Sequence, residues 1–203
     1  MCRSINRIFY IDLGFLRLCR AFQRHIRGMT LTERLHHELI DVIDFPTPGI
    51  RFKDITPVFL KPNLVQELAD DVARQFRGKV DAVCGLESRG FLLGMPIAIA
   101  LDVPFVLIRK AGKLPREVYR VSYQLEYGSA TIEMHKDALS NGSRVLIHDD
   151  VLATGGTAVA AAELVNSAGA VVAGYHFMVE INALNGRQRL TDFTDRVHSF
   201  VAC

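Results

Sequence analysis

Apolar positions Leu31, Leu35, Leu39, Val42 and Ile43 recur at helical spacing. The preceding Thr30 with Glu33 three residues on makes a capping-box start, so a helix is predicted here, stopping near Asp44 because Pro46 and Pro48 follow. Residues 45–57 read as a turn-rich loop. A second helix is expected from Pro62 through Leu64, Leu68, Val72 and Phe76 to Gly78. The pattern then changes. Residues 80–86 and 103–108 are short apolar runs flanking an apolar, helical stretch at 91–101, which is a β-α-β unit. Residues 118–135 alternate apolar and polar character around Gly128-Ser129, predicting an antiparallel hairpin with Tyr119, Tyr123 and Tyr127 on one side. Strands are further expected at 145–147, 171–179 and 197–201, with an alanine-rich helix from Thr157 to Ala168. Alternating strand and helix predict an α/β fold, a mainly parallel twisted sheet flanked by helices.

Composition refines this picture. The 203 residues, 49% hydrophobic, suffice for one full core. The net charge of +2 hides a split: residues 1–28 carry six arginines against the single acid Asp12, while the remainder holds 18 Lys+Arg against 21 Asp+Glu. A mildly acidic body argues against a general nucleic-acid binder, which needs a basic face. Cys2, Cys19, Cys84 and Cys203 are scattered, suggesting neither a zinc site nor a disulfide framework and fitting a reducing, cytoplasmic setting. No apolar stretch reaches the ~18 residues of a membrane span. Residues 1–28 have the arginine-rich, acid-poor character of a targeting segment, but Asp12 and Arg17 interrupt their apolar run. They are expected to be a non-native or dispensable extension, with Met29 starting a single domain over residues 29–203.

Three charged clusters stand at strand ends, where open parallel sheets bind ligands. In the strongest, His148-Asp149-Asp150-Val151-Leu152-Ala153-Thr154-Gly155-Gly156-Thr157, an apolar strand delivers two carboxylates to a loop that opens a helix. Small residues there let backbone N–H groups and two hydroxyls surround a phosphate. The paired acids suit vicinal ribose hydroxyls, or a magnesium ion held partly through water. His148 occupies a position where an apolar residue is expected. In Glu87-Ser88-Arg89-Gly90, a guanidinium can fork onto phosphate oxygens while Gly90 permits close backbone approach. Arg109-Lys110-Ala111-Gly112-Lys113 sets three cations within five residues, which repel unless an anion sits among them. Neither a Walker A loop nor a dinucleotide fingerprint occurs.

The acidic strand end and its Thr-Gly-Gly-Thr loop resemble the 5-phosphoribosyl-1-pyrophosphate signature of type I phosphoribosyltransferases. The resemblance implies that Asp149 and Asp150 bind the ribose hydroxyls and that Ala153, Thr154, Gly155, Gly156 and Thr157 cradle the 5-phosphate. It also makes Glu87, Ser88, Arg89 and Gly90 a pyrophosphate loop with unusual peptide geometry, assisted by Lys110 and Lys113. Arg109-Lys110-Ala111-Gly112-Lys113-Leu114-Pro115 resembles the adenine-specific branch, as do residues 45–57, similar to its N-terminal hood. By that likeness Phe52 stacks on the purine, Arg51 and Lys53 read its edge through their backbones, and Ala153 lies beside it. The hairpin resembles the branch's flap, which makes Glu126 an acid/base group near the purine. Residues 180–187 are similar to the family's tail.

The implied reaction is transfer of the phosphoribosyl group to adenine with release of pyrophosphate, with Glu126, Asp149 and Asp150 as the catalytic set, magnesium as cofactor and a homodimer as the assembly. Neither nucleic acid nor membrane is expected as a partner. Two alternatives stay open: a phosphoribosyltransferase for hypoxanthine, guanine or xanthine, or a non-catalytic sensor that keeps the phosphoribosyl pocket.

Overall fold

The computed structural model describes residues 28–124 and 128–203. The reading of residues 1–28 as an extension therefore falls almost wholly outside the described residues, and so do Glu126 and Tyr127.

Helix α1 (Leu31–Glu38) begins with the expected capping box: the Thr30 hydroxyl accepts from Glu33 N at 3.2 Å, and the Glu33 carboxylate accepts from Thr30 N at 2.7 Å. It ends sooner than its periodicity suggests. Leu39 is extended, and residues 40–43 form strand β1 (Ile40–Ile43), paired antiparallel with β2 (Arg51–Asp54). Ile40, Val42 and Ile43 are β-branched, and with a pairing partner in the supposed loop they are better placed in a ladder than in a helix. The turn between them closes with Gly49 N donating to the Asp44 carboxylate at 2.7 Å and Phe45 N donating to the Ile50 carbonyl at 3.3 Å.

Helix α2 (Pro62–Phe76) carries Pro at its start and buries Leu64, Leu68, Ala69, Val72, Ala73 and Phe76 along one face. The main sheet has seven strands in the order β5-β6-β4-β3-β7-β8-β9. Four of its pairings are parallel, joining β4 (Phe105–Lys110), β3 (Ala82–Leu86), β7 (Arg144–Leu152), β8 (Val171–Glu180) and β9 (Val197–Ala202). The hairpin of β5 (Val118–Gln124) and β6 (Ser129–His135) extends the β4 edge antiparallel, with Arg109 opposite Glu133.

Side chains on the central strands alternate between two cores. Val83 and Leu146 face α1, α2 and α3 (Gly90–Leu101), while Ala82, Cys84, Val145 and Ile147 face α4 (Gly156–Ser167). Helices thus cover both faces, which a parallel sheet requires. Among the described residues no helix is long and apolar enough to cross a membrane.

His148 is fully buried on the α3 side of β7, in register with His176 on β8, which in turn pairs with His198 on β9. The His148 and His176 rings stack, and His148 Nδ1 lies 3.0 Å from the His176 carbonyl oxygen, to which it donates in the matching tautomer, and 3.1 Å from His176 Nδ1. Burial holds His148 down to about 4, and burial with the neighbouring His148 and His198 holds His176 well below the usual imidazole range. The pair is therefore packed neutral. An unfolded His148 takes up a proton near 6.5 and the folded one only near 4, so its contribution to stability is complete above 6.5 and fades as pH falls through that window. Denaturant titrations should show the wild type losing about 2 kcal/mol more than His148→Leu between pH 7 and pH 5. Equal losses would mean that the imidazole is not held neutral.

Candidate active site

Strand β7 does not end before the acid pair but runs through Asp149 and Asp150 to Leu152, because β8 continues pairing alongside it to Glu180. The two carboxylates therefore sit on rigid backbone. Asp150 is buried, and its Oδ2 lies 2.6 Å from Arg89 Nε as an ion pair. Its amide donates to Asp149 Oδ1 at 2.9 Å. Removal from water, reinforced by the Asp150 charge, pushes the Asp149 carboxyl well above the ordinary carboxylate range.

After Leu152 the chain turns through Ala153, Thr154 and Gly155 into α4. Gly155 has φ +79°, and a Cβ there would stand 2.7 Å from the Gly186 carbonyl oxygen. A Cβ on Gly186 would fall 2.1 Å from the Ala153 carbonyl oxygen and 2.9 Å from Gly155 N. The tail loop after β8 is thus packed backbone against backbone on this turn, and Arg189 Nη1 donates to the Thr154 carbonyl at 3.3 Å. Arg187 ties that loop to the sheet through the Glu180 carboxylate and the Val197 carbonyl. The sequence offers the Gly-Gly turn but no sign that Gly186 braces it.

The Glu87–Ser88 peptide is cis, the kind of unusual geometry anticipated for this loop. Gly90 does permit a close approach, but the backbone approached is β7: a Cβ there would lie 2.9 Å from the His148 carbonyl oxygen. The Glu87 side chain is turned to Arg109, which donates to its two oxygens at 3.2 and 3.0 Å, and Lys110 N donates at 2.9 Å. Partial burial opposes the charge of Glu87, but these donors outweigh it and hold the carboxyl below its usual range. Repulsion among the three cations is thus relieved by an internal anion. Lys110 lines the cavity described next. Lys113 is exposed and absent from that lining, touching the cluster through its carbonyl, which accepts from Arg109 Nη1 at 3.2 Å.

A cavity of about 460 Å³ brings most of the candidates together. Arg51, Phe52 and Lys53 of β2 stand on one side, Glu87, Ser88, Arg89 and Lys110 on another, and Asp149, Asp150, Ala153 and Thr157 on a third. The Arg89 guanidinium carbon lies 4.9 Å from the Phe52 ring centroid, so Arg89 bridges the aromatic and acidic walls. Lys53 Nζ pairs with Asp41 at 2.6 Å, which ties β2 to β1. A smaller cavity of about 70 Å³ follows the turn itself, lined by Asp149, Ala153, Thr154, Gly155, Gly156 and Thr157 among others. Tyr123, Ile181 and Leu184 also line the larger cavity, although only the fold brings these distant segments to it.

The phosphoribosyl transferase domain family matches residues 60–194. An adenine phosphoribosyltransferase of Ureaplasma parvum is 48% identical over 162 residues, 79% of this chain and 92% of that protein. The chain belongs to the adenine phosphoribosyltransferase family. Among solved members, that of Thermoanaerobacter pseudethanolicus superposes with a TM-score of 0.81 at 42% identity, covering 86% of this chain and all of that one. That of Saccharomyces cerevisiae, complexed with a dideoxy-imino-altritol bisphosphate and adenine, gives 0.79 at 42% identity over 84% of this chain and 98% of its own. Members of this family are transferases of purine salvage, and this chain shares the fold of these two over 84–86% of its length.

Proposed function

We propose that this chain transfers the 5-phosphoribosyl group of 5-phosphoribosyl-1-pyrophosphate to N9 of adenine, giving AMP and pyrophosphate, and that the 460 Å³ cavity is where it does so. The observation that carries the reading is the junction of β7 and α4, where two carboxylates on a strand are followed at once by a glycine turn and a helix N-terminus. Asp149 and Asp150 accept from the ribose 2- and 3-hydroxyls. Backbone N–H groups of residues 153–157 and the Thr154 and Thr157 hydroxyls hold the 5-phosphate, aided by the helix dipole. The phosphate cradle and the acid pair fix both ends of the ribose.

Arg89, Lys110 and the exposed Lys113 receive the departing pyrophosphate, with Ser88 and Gly90 shaping the loop and Glu87 holding Arg109. As the bond to pyrophosphate lengthens, positive charge grows on the ribose ring, and the acid pair stabilises it where it stands. Phe52 stacks on adenine, and the backbones of Arg51 and Lys53 read the purine edge opposite Ala153. Glu126, two residues after β5 in the sequence, handles the purine proton, and the β5–β6 hairpin excludes water.

Magnesium fits the donor set, since a hard cation that keeps its waters suits two adjacent carboxylates and phosphate oxygens. Asp149 and Asp150 would hold it through water, and it would lower the charge on the leaving group. Residues 29–203 act as one catalytic domain, with residues 1–28 dispensable. A homodimer and a cytoplasmic setting complete the reading. The dimer is supported by α3, which has no charged residue and leaves Leu92, Met95 and Ile99 exposed on one face.

AMP formation from adenine, the phosphoribosyl donor and magnesium, with hypoxanthine and guanine as competitors, tests reaction and base choice together. Selective AMP formation is expected. Turnover of hypoxanthine or guanine instead would reassign the base, and no turnover of any base with ribose 5-phosphate still bound would make the chain a sensor.

A further inference from the structure

The mechanism above gives no task to Tyr123, whose side chain lines the cavity. Tyr123 is the penultimate residue of β5, half-buried and packed with Tyr119 and Val121 against the α4-side core. Its hydroxyl lies 3.0 Å from the Thr157 hydroxyl, and its ring carbon Cδ2 lies 3.6 Å from the point where a Cβ on Gly156 would stand. The Gln124 carbonyl oxygen reaches the same point at 3.8 Å. The end of the hairpin strand therefore rests on the first turn of α4.

We propose that Tyr123 is a positioning residue that couples occupancy of the 5-phosphate cradle to the placement of the β5–β6 hairpin, acting through the Thr157 hydroxyl. The inference rests on the reading of residues 153–157 as that cradle. A threonine hydroxyl has one proton to give and two lone pairs to receive. A phosphate dianion only accepts, so a bound 5-phosphate draws the Thr157 proton and leaves the Thr157 oxygen as an acceptor. The phenol, the more acidic of the two hydroxyls, then donates to that oxygen, and each bond in such a chain strengthens the next. Without an anion either hydroxyl can be the donor and the link is weaker. Phosphate arrival thus fixes the direction of the relay and pins the strand end, three residues before Glu126, against the helix.

Tyr123→Phe keeps the ring and its packing and removes only the hydroxyl. Steady-state AMP formation, with calorimetry of ribose 5-phosphate and adenine, reads the effect. The KM for the phosphoribosyl donor and the Kd for ribose 5-phosphate are expected to rise about three- to tenfold, while the adenine KM stays as in the wild type. In a Thr157→Val background, adding Tyr123→Phe should change nothing further, because the relay is already broken. Equal rises for both substrates, no rise for either, or an undiminished effect in the Thr157→Val background would overturn the coupling. A wild type that binds no ribose 5-phosphate would instead sink the cradle reading on which it stands.

Discussion

Asp150→Ala is expected to lower the turnover of AMP formation by about a hundredfold or more, with the protein still folded. The residue is buried at the end of a central strand and faces the cavity beside Asp149. In the proposed mechanism it opposes positive charge that exists only as the transition state forms, so its loss falls mainly on kcat. Removing one preorganised electrostatic partner of this kind typically costs about 10²–10³ in rate. The variant also releases Arg89 from its 2.6 Å pairing with Asp150, freeing the guanidinium from a defined place over Phe52. Asp150→Asn separates the two effects, since it keeps much of the shape and loses the charge. Single-turnover rates and donor affinity should be measured on both variants alongside a thermal melt. A turnover rate unchanged by Asp150→Ala would remove the acid pair from the mechanism.

The second large effect is expected at a residue that touches no substrate. Gly186→Ala would place a methyl 2.1 Å from the Ala153 carbonyl oxygen and 2.9 Å from Gly155 N. Both obstacles are backbone, so no side chain can rotate away, and either the tail loop lifts or the phosphate turn is displaced. Overpacking of this sort destabilises by about 2–3 kcal/mol. Because the atoms displaced belong to the cradle, the KM for the phosphoribosyl donor should rise more than that for adenine. Gly142→Ala is the control: Gly142 has a left-handed backbone at φ +79°, which Gly186 does not, but a Cβ there meets nothing within 4 Å. It should lose only about 1 kcal/mol of backbone preference and keep the donor KM. Urea titrations of the two variants, falling together, would show that the close packing of Gly186 on the turn has no special consequence.

What the linear sequence determined is whatever is local in the chain. Strand, acid pair, glycine turn and helix follow one another without interruption from residue 144 to residue 167, and a phosphate cradle at a helix N-terminus is built from consecutive backbone groups. Hydrophobic periodicity was equally sufficient for α2, whose apolar stripe is buried as its 3.6-residue spacing predicts. Tertiary structure decided everything that depends on a distant partner. Residues 40–43 satisfy a helical pattern, and only the ladder to residues 51–54 makes them a strand. The three cations around the end of β4 look unbalanced until Glu87, 22 residues before Arg109, is brought against it. His148 looks misplaced in an apolar strand until His176 in the next strand shares its burial. Gly186 and Tyr123 lie in stretches that resemble the tail and the flap, but their roles are not legible there, because their importance lies in what they touch across the fold, the Ala153–Thr157 turn. The physical reason is the same in each case: a side chain's local pattern reports its own backbone preference, while charge compensation, close packing and hydrogen-bond relays are set by neighbours that only the folded chain supplies.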